Sequence, residues 1–243
     1  MLRISIIIPT LNEASCLPRT LKYLQLLNPP PHEIIVVDSH SEDETVKIAL
    51  AAGVTVVSCP TRRRSVQMND GAKIATGDVL CFVHADTLIP DDLVNIMTQT
   101  LDNSAIVGGG FISVMMGTQK TRWGTSLHNL LKTYYAPLLF RPHLFFRGLR
   151  VLFGDQVIFC RRPAFWDCGG FDPNLPIMED ADLCCKLVQY GRIHLVNRMV
   201  YTSERRLVHW GAFKANLIYL YIGLLWGMGV SADLLQQWYQ DIR

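Results

Sequence analysis

Acidic and amide side chains follow two apolar runs of the chain, at the point where each run ends. Asn12 and Glu13 come shortly after the run at 4–9, and Asp38 ends the run at 33–38. Both runs are rich in β-branched residues, which is typical of strands buried on both faces of a parallel sheet. Ligands of open α/β sheets bind outside the carboxyl ends of such strands. Because a carboxylate accepts strongly from ribose hydroxyls or a pyrimidine N–H, these residues predict a nucleotide site and an enzyme.

Two further groups of polar residues could act on a ligand bound there. His84 and Asp86 follow another apolar run, and a carboxylate such as Asp86 offers the hard oxygen ligands that Mg²⁺ and Mn²⁺ prefer. Glu179, Asp180 and Asp182 form a cluster of acids within four residues. Such acids favour a helix N-terminus through the helix dipole, and they also offer a carboxylate that could accept a proton. The two interpretations of this cluster are compatible.

The elements that must position these residues alternate along the first part of the chain. The predicted strands occupy residues 4–9, 33–38, 54–58 and 78–83. The predicted helices between them occupy residues 14–26, 42–52 and 64–75. Ser41 begins a capping-box pattern in front of the second helix. This alternation predicts a doubly wound α/β domain with a mainly parallel sheet.

The second half of the chain is less regular. Between Asp102 and Asp155 there is no acidic residue, and basic and aromatic residues are frequent at 120–150. We predict an irregular region at 110–155 that contributes to the acceptor site. The elements predicted elsewhere in this half are a helix at 90–102, a strand at 105–116, a strand at 157–161, a helix at 180–190, a strand at 193–196 and a helical pattern at 211–240. The predicted division is a main domain at 1–210 and a C-terminal helical segment at 211–243.

Taken together, these motifs resemble the family 2 glycosyltransferases of the GT-A fold over about residues 3–200. In that family the first strand typically ends in a P-x-x-N-E segment, here residues 9–13, and the second strand ends in an aspartate, here Asp38. A D-x-D motif usually follows the fourth strand, and residues 84–86 read His-Ala-Asp in its place. The E-D motif that follows a glycine turn in the family corresponds to residues 179–180.

The resemblance implies roles on the donor side. Glu13 and Asp38 would contact the base and ribose of a nucleoside diphosphate sugar, and the same segment supplies Pro9, Thr10 and Leu11. Asp86 would hold a divalent cation, Mn²⁺ or Mg²⁺, that is bound to the donor diphosphate. His84 would be a further metal ligand or would hydrogen-bond the donor.

Basic residues elsewhere in the chain correspond to donor-binding positions of the family. Arg64 would offer its planar guanidinium fork to a phosphate, or it would simply begin a solvated helix. Arg205 and Arg206 would close over the diphosphate, and His209 would be a further metal ligand.

The same resemblance implies roles on the acceptor side. Asp180 would be the catalytic base, because inversion at an anomeric carbon needs one base opposite the leaving diphosphate. Glu179 would support Asp180, and Asp182 is a weaker candidate for base and an acceptor contact. Asp155 and Gln156 would orient an acceptor hydroxyl or form a turn.

The motif combination resembles one small cytosolic branch of the family in particular. It joins H-A-D, G-D-Q, M-E-D-x-D and S-x-R-R in a chain of 243 residues. That branch is associated, by gene neighbourhood, with radical-SAM and arsenosugar-type biosynthesis.

Composition excludes some classes of protein and favours a cytoplasmic location. The formal net charge of +2 argues against nonspecific nucleic-acid binding, which needs a strongly basic face. The seven cysteines are an odd number without a C-x-x-C pair, which is typical of reduced thiols. The N-terminus reads as a strand, so we expect no signal peptide.

The run at 215–232 has no charged residue, yet it is at the lower limit of what spans a bilayer. It could be a helix packed on the core, a helix at the membrane interface, or a spanning helix. The basic and aromatic stretch at 120–150 suits an anionic membrane surface or a lipid-phosphate acceptor.

These observations predict a metal-dependent, inverting glycosyltransferase that moves a sugar from a nucleoside diphosphate donor to a hydroxyl of a small-molecule or lipid-linked acceptor. A membrane surface is a further expected partner, and nucleic acid is not. Three alternatives stay open: a sugar nucleotidyltransferase, a non-catalytic nucleotide-sugar-binding protein and a membrane-recruitment protein. The first usually has a glycine- and arginine-rich loop after its first strand, whereas residues 9–13 contain neither.

Overall fold

The apolar runs of the first half form neighbouring parallel strands of one mixed, seven-stranded sheet. The structure is a computed structural model, and it describes residues 2–117, 121–203 and 212–240. The strands are β1 (Ile4–Thr10), β2 (Glu33–Asp38), β3 (Thr55–Ser58), β4 (Val79–Phe82), β5 (Ile106–Met116), β6 (Phe159–Arg161) and β7 (Arg192–Ser203). Their order is β3-β2-β1-β4-β6-β5-β7, and β6 is antiparallel to both of its neighbours.

Helices cover both faces of this sheet. They are α1 (Leu17–Gln25), α2 (Thr45–Ala51), α3 (Arg64–Ile74), α4 (Leu93–Asp102), α5 (Trp123–Phe140), α6 (Pro142–Arg147), α7 (Arg162–Asp167), α8 (Glu179–Leu187), α9 (Ala212–Gly227) and α10 (Ala232–Gln240). A short 3-10 turn, Gly154–Gln156, precedes β6.

Both faces of β1 are buried, which explains why its sequence is a continuous apolar run. Ile7 packs in one hydrophobic cluster with Phe165, on one side of the sheet. Ile6 and Ile8 pack in the other cluster with Met97, on the opposite side. Alternate residues of a strand point to opposite faces, so a central strand of a two-sided sheet needs apolar residues at every position.

The carboxyl ends of β1, β2 and β4 meet at the same edge of the sheet. The register sets Thr10 of β1 opposite Asp38 of β2, and it sets Ile7 opposite Phe82 at the end of β4. The polar residues that follow these strands are therefore neighbours in space.

The region predicted as irregular contains two helices, α5 and α6, so that prediction was wrong. The buried residues of α5 are mostly small or polar: Thr125, Ser126, Asn129, Thr133 and Pro137. The exposed large side chains of α5 are mainly apolar: Trp123, Leu127, Leu131, Tyr134, Leu138 and Leu139. The apolar stripe of α5 faces outward, whereas a surface helix usually has an apolar stripe that faces the core. The sequence pattern therefore does not indicate this helix.

Two other element boundaries differ from the prediction. Strand β7 continues to Ser203, well beyond 196, because it pairs with the whole length of β5. The helical pattern at 211–240 is interrupted after Gly227, and Gly229 there adopts a positive φ of +93°. The predicted single segment is therefore two helices joined by a short turn.

The C-terminal helices pack on the rest of the chain through α5. Asn216 Nδ2 of α9 donates to Thr125 Oγ1 at 3.0 Å. Leu235 of α10 is fully buried in a small cluster with Ile222 of α9, and Met178 packs against it. The residue before α8 therefore touches the C-terminal helices. The predicted division of the chain at 210 stays a prediction.

The close packing of α3 on β1 leads to a prediction about the stability of the protein. A Cβ added at Gly71 would lie 2.5 Å from Ile7 Cγ2 and 2.9 Å from Val37 Cγ2. We expect Gly71→Ala to lower the free energy of unfolding by about 1–3 kcal/mol, because the added methyl group would overpack the core. Gly124→Ala is the matched control, since a Cβ there meets nothing within 4 Å. Urea unfolding of both variants measures the difference, and equal stability of Gly71→Ala and the wild type would contradict it.

Candidate active site

The first part of the site is the junction of the β1 and β2 carboxyl ends. The Thr10 hydroxyl donates to Asp38 Oδ1 at 3.0 Å, and the Ser41 backbone N–H donates to Asp38 Oδ2 at 2.9 Å. Gln67 of α3 donates to the backbone oxygens of Thr10 and Val37, each at 2.8 Å. Asp38 is only 4% exposed. These bonds fix its carboxylate in one position before any ligand binds.

The residues after β1 are tied to the loop after β2. Asn12 has a left-handed φ of +57°, and its backbone N–H donates to Ser41 Oγ at 2.8 Å. Its side-chain oxygen accepts from the Glu42 N–H at 2.8 Å. The Glu13 N–H donates to Thr45 Oγ1, also at 2.8 Å. The two loops therefore form one connected ledge at the sheet edge, and this ledge includes Glu13 and Asp38, the two residues predicted to contact the base and ribose.

Ser41 has a different role from the predicted capping box, and that prediction was wrong. Helix α2 begins at Thr45, and the Asp43 carboxylate, rather than Ser41, accepts from the Thr45 N–H at 3.0 Å. The Ser41 hydroxyl donates to Asp38 Oδ1 at 2.5 Å. Its oxygen, which a capping box would use as the acceptor for an N–H of the helix, accepts from the Asn12 N–H instead.

Arg64 joins the predicted donor and acceptor sides in the second part of the site. Its Nε donates to Glu179 Oε1 and its Nη2 donates to Asp180 Oδ2, each at 2.8 Å. Its Nη1 donates to His84 Nε2 at 3.1 Å. The Gly154 N–H donates to the same oxygen of Asp180 at 2.9 Å. Helix α3, the residue after Val83, the 3-10 turn and helix α8 thus converge on one guanidinium.

Asp180 has the proton affinity expected of a base that works near neutral pH. Burial raises its pKa to about 7, and the neighbouring Glu179 carboxylate also raises it. The Arg64 guanidinium and the Gly154 N–H act in the opposite direction. Since an efficient general base has a pKa close to the working pH, Asp180 fits the predicted role chemically.

His84 and Asp86 follow β4 at the same edge. The nitrogen of His84 that accepts from Arg64 carries a lone pair, so the imidazole is neutral in this arrangement. A Cβ at Gly154 would collide with this imidazole, so only glycine allows the 3-10 turn to approach so closely.

A metal ion could be held only partly by the protein. Among the described residues, no group of three or more His, Cys, Asp or Glu side chains is arranged to hold a metal. The carboxylate of Asp86 is nevertheless a suitable hard ligand for Mg²⁺ or Mn²⁺. Asp86 would be one ligand of such a cation, and the other ligands would come from outside these side chains.

Asp155 belongs to a polar cluster between the 3-10 turn, β5 and α5. Its Oδ2 accepts from Ser113 Oγ at 2.8 Å and from Asn129 Nδ2 at 3.0 Å. Lys132, one turn further along α5, has its Nζ 3.7 Å from the centre of the Phe153 ring. Burial lowers the pKa of Lys132 to about 8, and Asp155 opposes this effect.

Sequence reasoning did not identify Asn129 or Lys132. Both belong to α5, which was not predicted as a helix. Their spacing of three residues would have placed them on one helical face, had the helix been recognised.

The other two predicted acceptor residues make structural contacts. Gln156 is 1% exposed, its Oε1 accepts from the Phe153 N–H at 3.1 Å, and its amide nitrogen donates to Thr133 Oγ1 at 3.2 Å. Asp182 forms an ion pair with Lys186 at 2.8 Å, one turn along α8. A step of two residues along a helix turns by about 200°, so Asp182 lies away from Asp180. Asp155, in contrast, is near enough to Asp180 for its charge to raise the pKa of Asp180.

Three of the predicted donor or metal contacts lie outside the described residues: Arg205, Arg206 and His209. Across the ranges 2–117, 121–203 and 212–240, no helix is long and apolar enough to cross a membrane.

Comparison with known families identifies the class of protein. The family model described as "Glycosyl transferase family 2" matches residues 5–167, which is more than half of the chain. The chain belongs to glycosyltransferase family 2. The predicted membership of this family is confirmed.

Curated relatives include a protein named as a glycosyltransferase and one named as a synthase of glucosyl-3-phosphoglycerate. The chain is 26% identical over 223 residues to the pre-mycofactocin glycosyltransferase of Mycobacterium tuberculosis, with 87% of this chain and 45% of the relative covered. It is 33% identical over 99 residues to glucosyl-3-phosphoglycerate synthase of Mycolicibacterium smegmatis, with 37% of this chain and 33% of the relative covered. The chain thus spans less than half the length of both relatives.

Solved structures confirm the predicted GT-A-like fold. A mannosyltransferase from Pyrobaculum calidifontis, in complex with GDP-Man and Mn²⁺, superposes with a TM-score of 0.70 at 17% identity, and the match covers 91% of this chain and 62% of that one. Glucosyl-3-phosphoglycerate synthase from Mycobacterium tuberculosis, in complex with Mn²⁺, UDP and phosphoglyceric acid, gives a TM-score of 0.67 at 22% identity, with 94% and 79% covered.

The pairing of Arg64 with Asp180 predicts a change in proton affinity on substitution. We expect Arg64→Met to raise the pKa of Asp180 by about 1 to 3 pH units, because the cation that favours the carboxylate is removed. Carbon-13 NMR of aspartate-labelled protein measures the titration, and Asp180→Asn assigns the signal. Arg62→Met is the matched control, because Arg62 is paired with exposed Glu42 instead. An unchanged midpoint in Arg64→Met would contradict the pairing.

Proposed function

We propose that this protein is an inverting glycosyltransferase that moves a sugar from a nucleoside diphosphate donor to an acceptor hydroxyl, with a divalent cation. The observation that carries the proposal is the buried Asp180 carboxylate beside the polar edge of the sheet. It is held by Arg64 and by the Gly154 N–H, at 2.8 and 2.9 Å.

The donor nucleotide would bind on the ledge after β1 and β2. Asp38 and Glu13 offer carboxylate acceptors to ribose hydroxyls and the base N–H groups, beside Pro9, Thr10 and Leu11. Asp86 would hold Mn²⁺ or Mg²⁺, and such a cation neutralises charge on a leaving diphosphate. The Mn²⁺ complexes of the structurally similar proteins support this assignment. His84, Arg205, Arg206 and His209 remain proposed as further donor or metal contacts.

The transfer would be a single displacement at the anomeric carbon. The acceptor oxygen forms its bond to that carbon while the bond to the diphosphate oxygen breaks, and Asp180 takes the proton of the acceptor hydroxyl. Arg64 would change partners in this cycle, because its guanidinium suits donor phosphate as well as carboxylate. Asp155, with Gln156 or Asp182, would lie on the acceptor side.

The acceptor is a hydroxyl compound, small or lipid-linked. The resemblance to the branch linked with radical-SAM and arsenosugar-type biosynthesis remains part of this proposal. Family membership supports sugar transfer over nucleotidyl transfer. A non-catalytic nucleotide-sugar-binding protein is the second candidate, because His84 replaces the first acid of the D-x-D motif.

Calorimetry with UDP-, GDP- and dTDP-sugars, with and without Mn²⁺, tests the donor site. We expect one donor to bind only with the metal, and we expect Asp86→Ala to weaken that binding at least about tenfold, because a charged metal ligand is lost. Asp91→Ala is the control, an exposed carboxylate just beyond the same loop. Absence of binding by every donor under every metal condition would overturn the proposal.

Donor turnover separates the enzyme from the non-catalytic binding protein. We expect Asp180→Asn to keep donor binding and to lose about 10²–10⁴-fold in turnover, because the amide cannot accept the proton. Asparagine keeps an oxygen for the Arg64 and Gly154 bonds, so the site should stay assembled. Equal turnover by Asp180→Asn and the wild type would exclude Asp180 as the base.

We also propose that α5 and α9 rest on the cytoplasmic face of an anionic membrane. The outward apolar face of α5, described above, is matched on α9 by exposed Leu217, Leu220, Tyr221 and Leu224, and by Met228 just after this helix. The segment between Asp102 and Asp155, which contains α5, has basic residues and no acidic residue. Apolar contact with the lipid and attraction to its headgroups would act together.

Co-sedimentation with vesicles of phosphatidylcholine and phosphatidylglycerol tests this association. We expect the double variant Leu127→Ser, Leu131→Ser to bind at least about tenfold more weakly, because each leucine loses apolar burial of about 1.5–3 kcal/mol. The double variant Leu26→Ser, Leu50→Ser is the matched control, because both leucines are exposed and lie elsewhere, at the end of α1 and on α2. If both double variants bind like the wild type, the proposed face is wrong.

A further inference from the structure

An apolar cavity with a volume of about 120 Å³ lies between α5 and α9. Pro137 and Phe140 line it from α5, and Gly223 and Trp226 line it from α9. None of the residues to which the donor site is assigned lines this cavity.

The cavity reaches the two chain segments that hold Asp180. Phe153 and Met178 both line it. Phe153 precedes Gly154, whose N–H donates to Asp180 at 2.9 Å, and Met178 precedes Glu179 at the start of α8. The walls of the cavity therefore include residues directly next to the segments that hold Asp180.

The residues that line the cavity include a charged side chain as well as apolar ones. Lys132 and Phe153 both line it and are in contact, and Asp155 is the charged neighbour of Lys132. Leu139 and Leu224 also line it and are exposed, at 66% and 43%. This combination suits an amphipathic molecule.

We infer that this cavity binds a hydrocarbon chain of the acceptor, whose hydroxyl lies between Asp155 and Asp180. This inference rests on the proposed function, and it specifies the acceptor as an amphipathic alcohol. The volume of the cavity is close to the ~150 Å³ of apolar cavities that bind benzene, so the cavity has room for a short segment of the hydrocarbon chain. The exposed leucines would cover the remainder of that hydrocarbon chain.

Calorimetry with the n-alkanols from butanol to decanol, in the absence of donor, tests the cavity. We expect the affinity to rise about fourfold for each added methylene until the chain fills the cavity, because each buried methylene contributes about 0.8 kcal/mol. Gly223→Leu should weaken decanol binding at least tenfold. A Cβ at Gly223 meets no atom within 4 Å, so the new side chain has room and occupies space that the alkanol needs.

Gly124→Leu is the matched control, because a Cβ there also meets nothing within 4 Å and the residue does not line the cavity. Ala136→Leu, which fills the cavity from the α5 side, replaces Gly223→Leu if that variant does not fold. Equal decanol binding by the filled variant and the control would overturn the inference, as would affinity that does not depend on chain length.

Failure of the proposed function has a different signature. Alkanol binding is measured without donor, so it persists if the cavity binds a hydrocarbon chain and the protein transfers no sugar.

A second experiment distinguishes a membrane lipid from a soluble amphiphile as the source of the hydrocarbon chain, and it presents hexadecanol in phosphatidylcholine vesicles. Protection of Cys185, which lines the cavity, against a thiol reagent is then compared for these vesicles, for the same vesicles without hexadecanol and for free decanol. Free decanol should protect in either case, because it binds the cavity. Greater protection with hexadecanol in the vesicles than without it assigns a membrane lipid, and equal protection by the two kinds of vesicle assigns a soluble amphiphile.

Discussion

The pairing of one guanidinium with two adjacent buried carboxylates is the constraint on which the site depends. Glu179 and Asp180 are 6% and 3% exposed, and neighbouring buried anions repel each other strongly. Arg64 lies between them and compensates their charge, although a cation at the start of α3 is unfavourable for the dipole of that helix. Its removal would leave uncompensated charge inside the protein. The positions of α3, α8 and the 3-10 turn are therefore mutually dependent.

In the proposed reaction this ion pair would also couple donor binding to proton transfer. A guanidinium shared by His84, Glu179 and Asp180 is in reach of the residues that follow β4 and of the proposed base. Donor phosphate that attracts Arg64 would leave Asp180 with a higher proton affinity, because one of its stabilising partners departs. The base would thus become stronger when the donor is bound, which links the two halves of the proposed reaction through one side chain.

Much of the fold and part of the site could be predicted from the sequence, because they depend on local patterns. The strands β1 and β2 end where their apolar runs end, and Asp38, Asp86 and Asp180 occupy motif positions. Helix α5 was missed because its polar residues are buried and its leucines are exposed, which reverses the usual pattern. The single C-terminal helix was wrong because a turn at residues 228–231 divides it.

The sequence by itself determined the alternation of strands and helices, the order of the polar residues at strand ends and the family to which the chain belongs. Only the tertiary structure decided which side chains meet. Arg64 and Asp180 are separated by more than a hundred residues, and no local pattern records the distance between them. The cavity between α5 and α9 is likewise a product of packing, because its walls come from helices that are remote in the chain and adjacent only after folding.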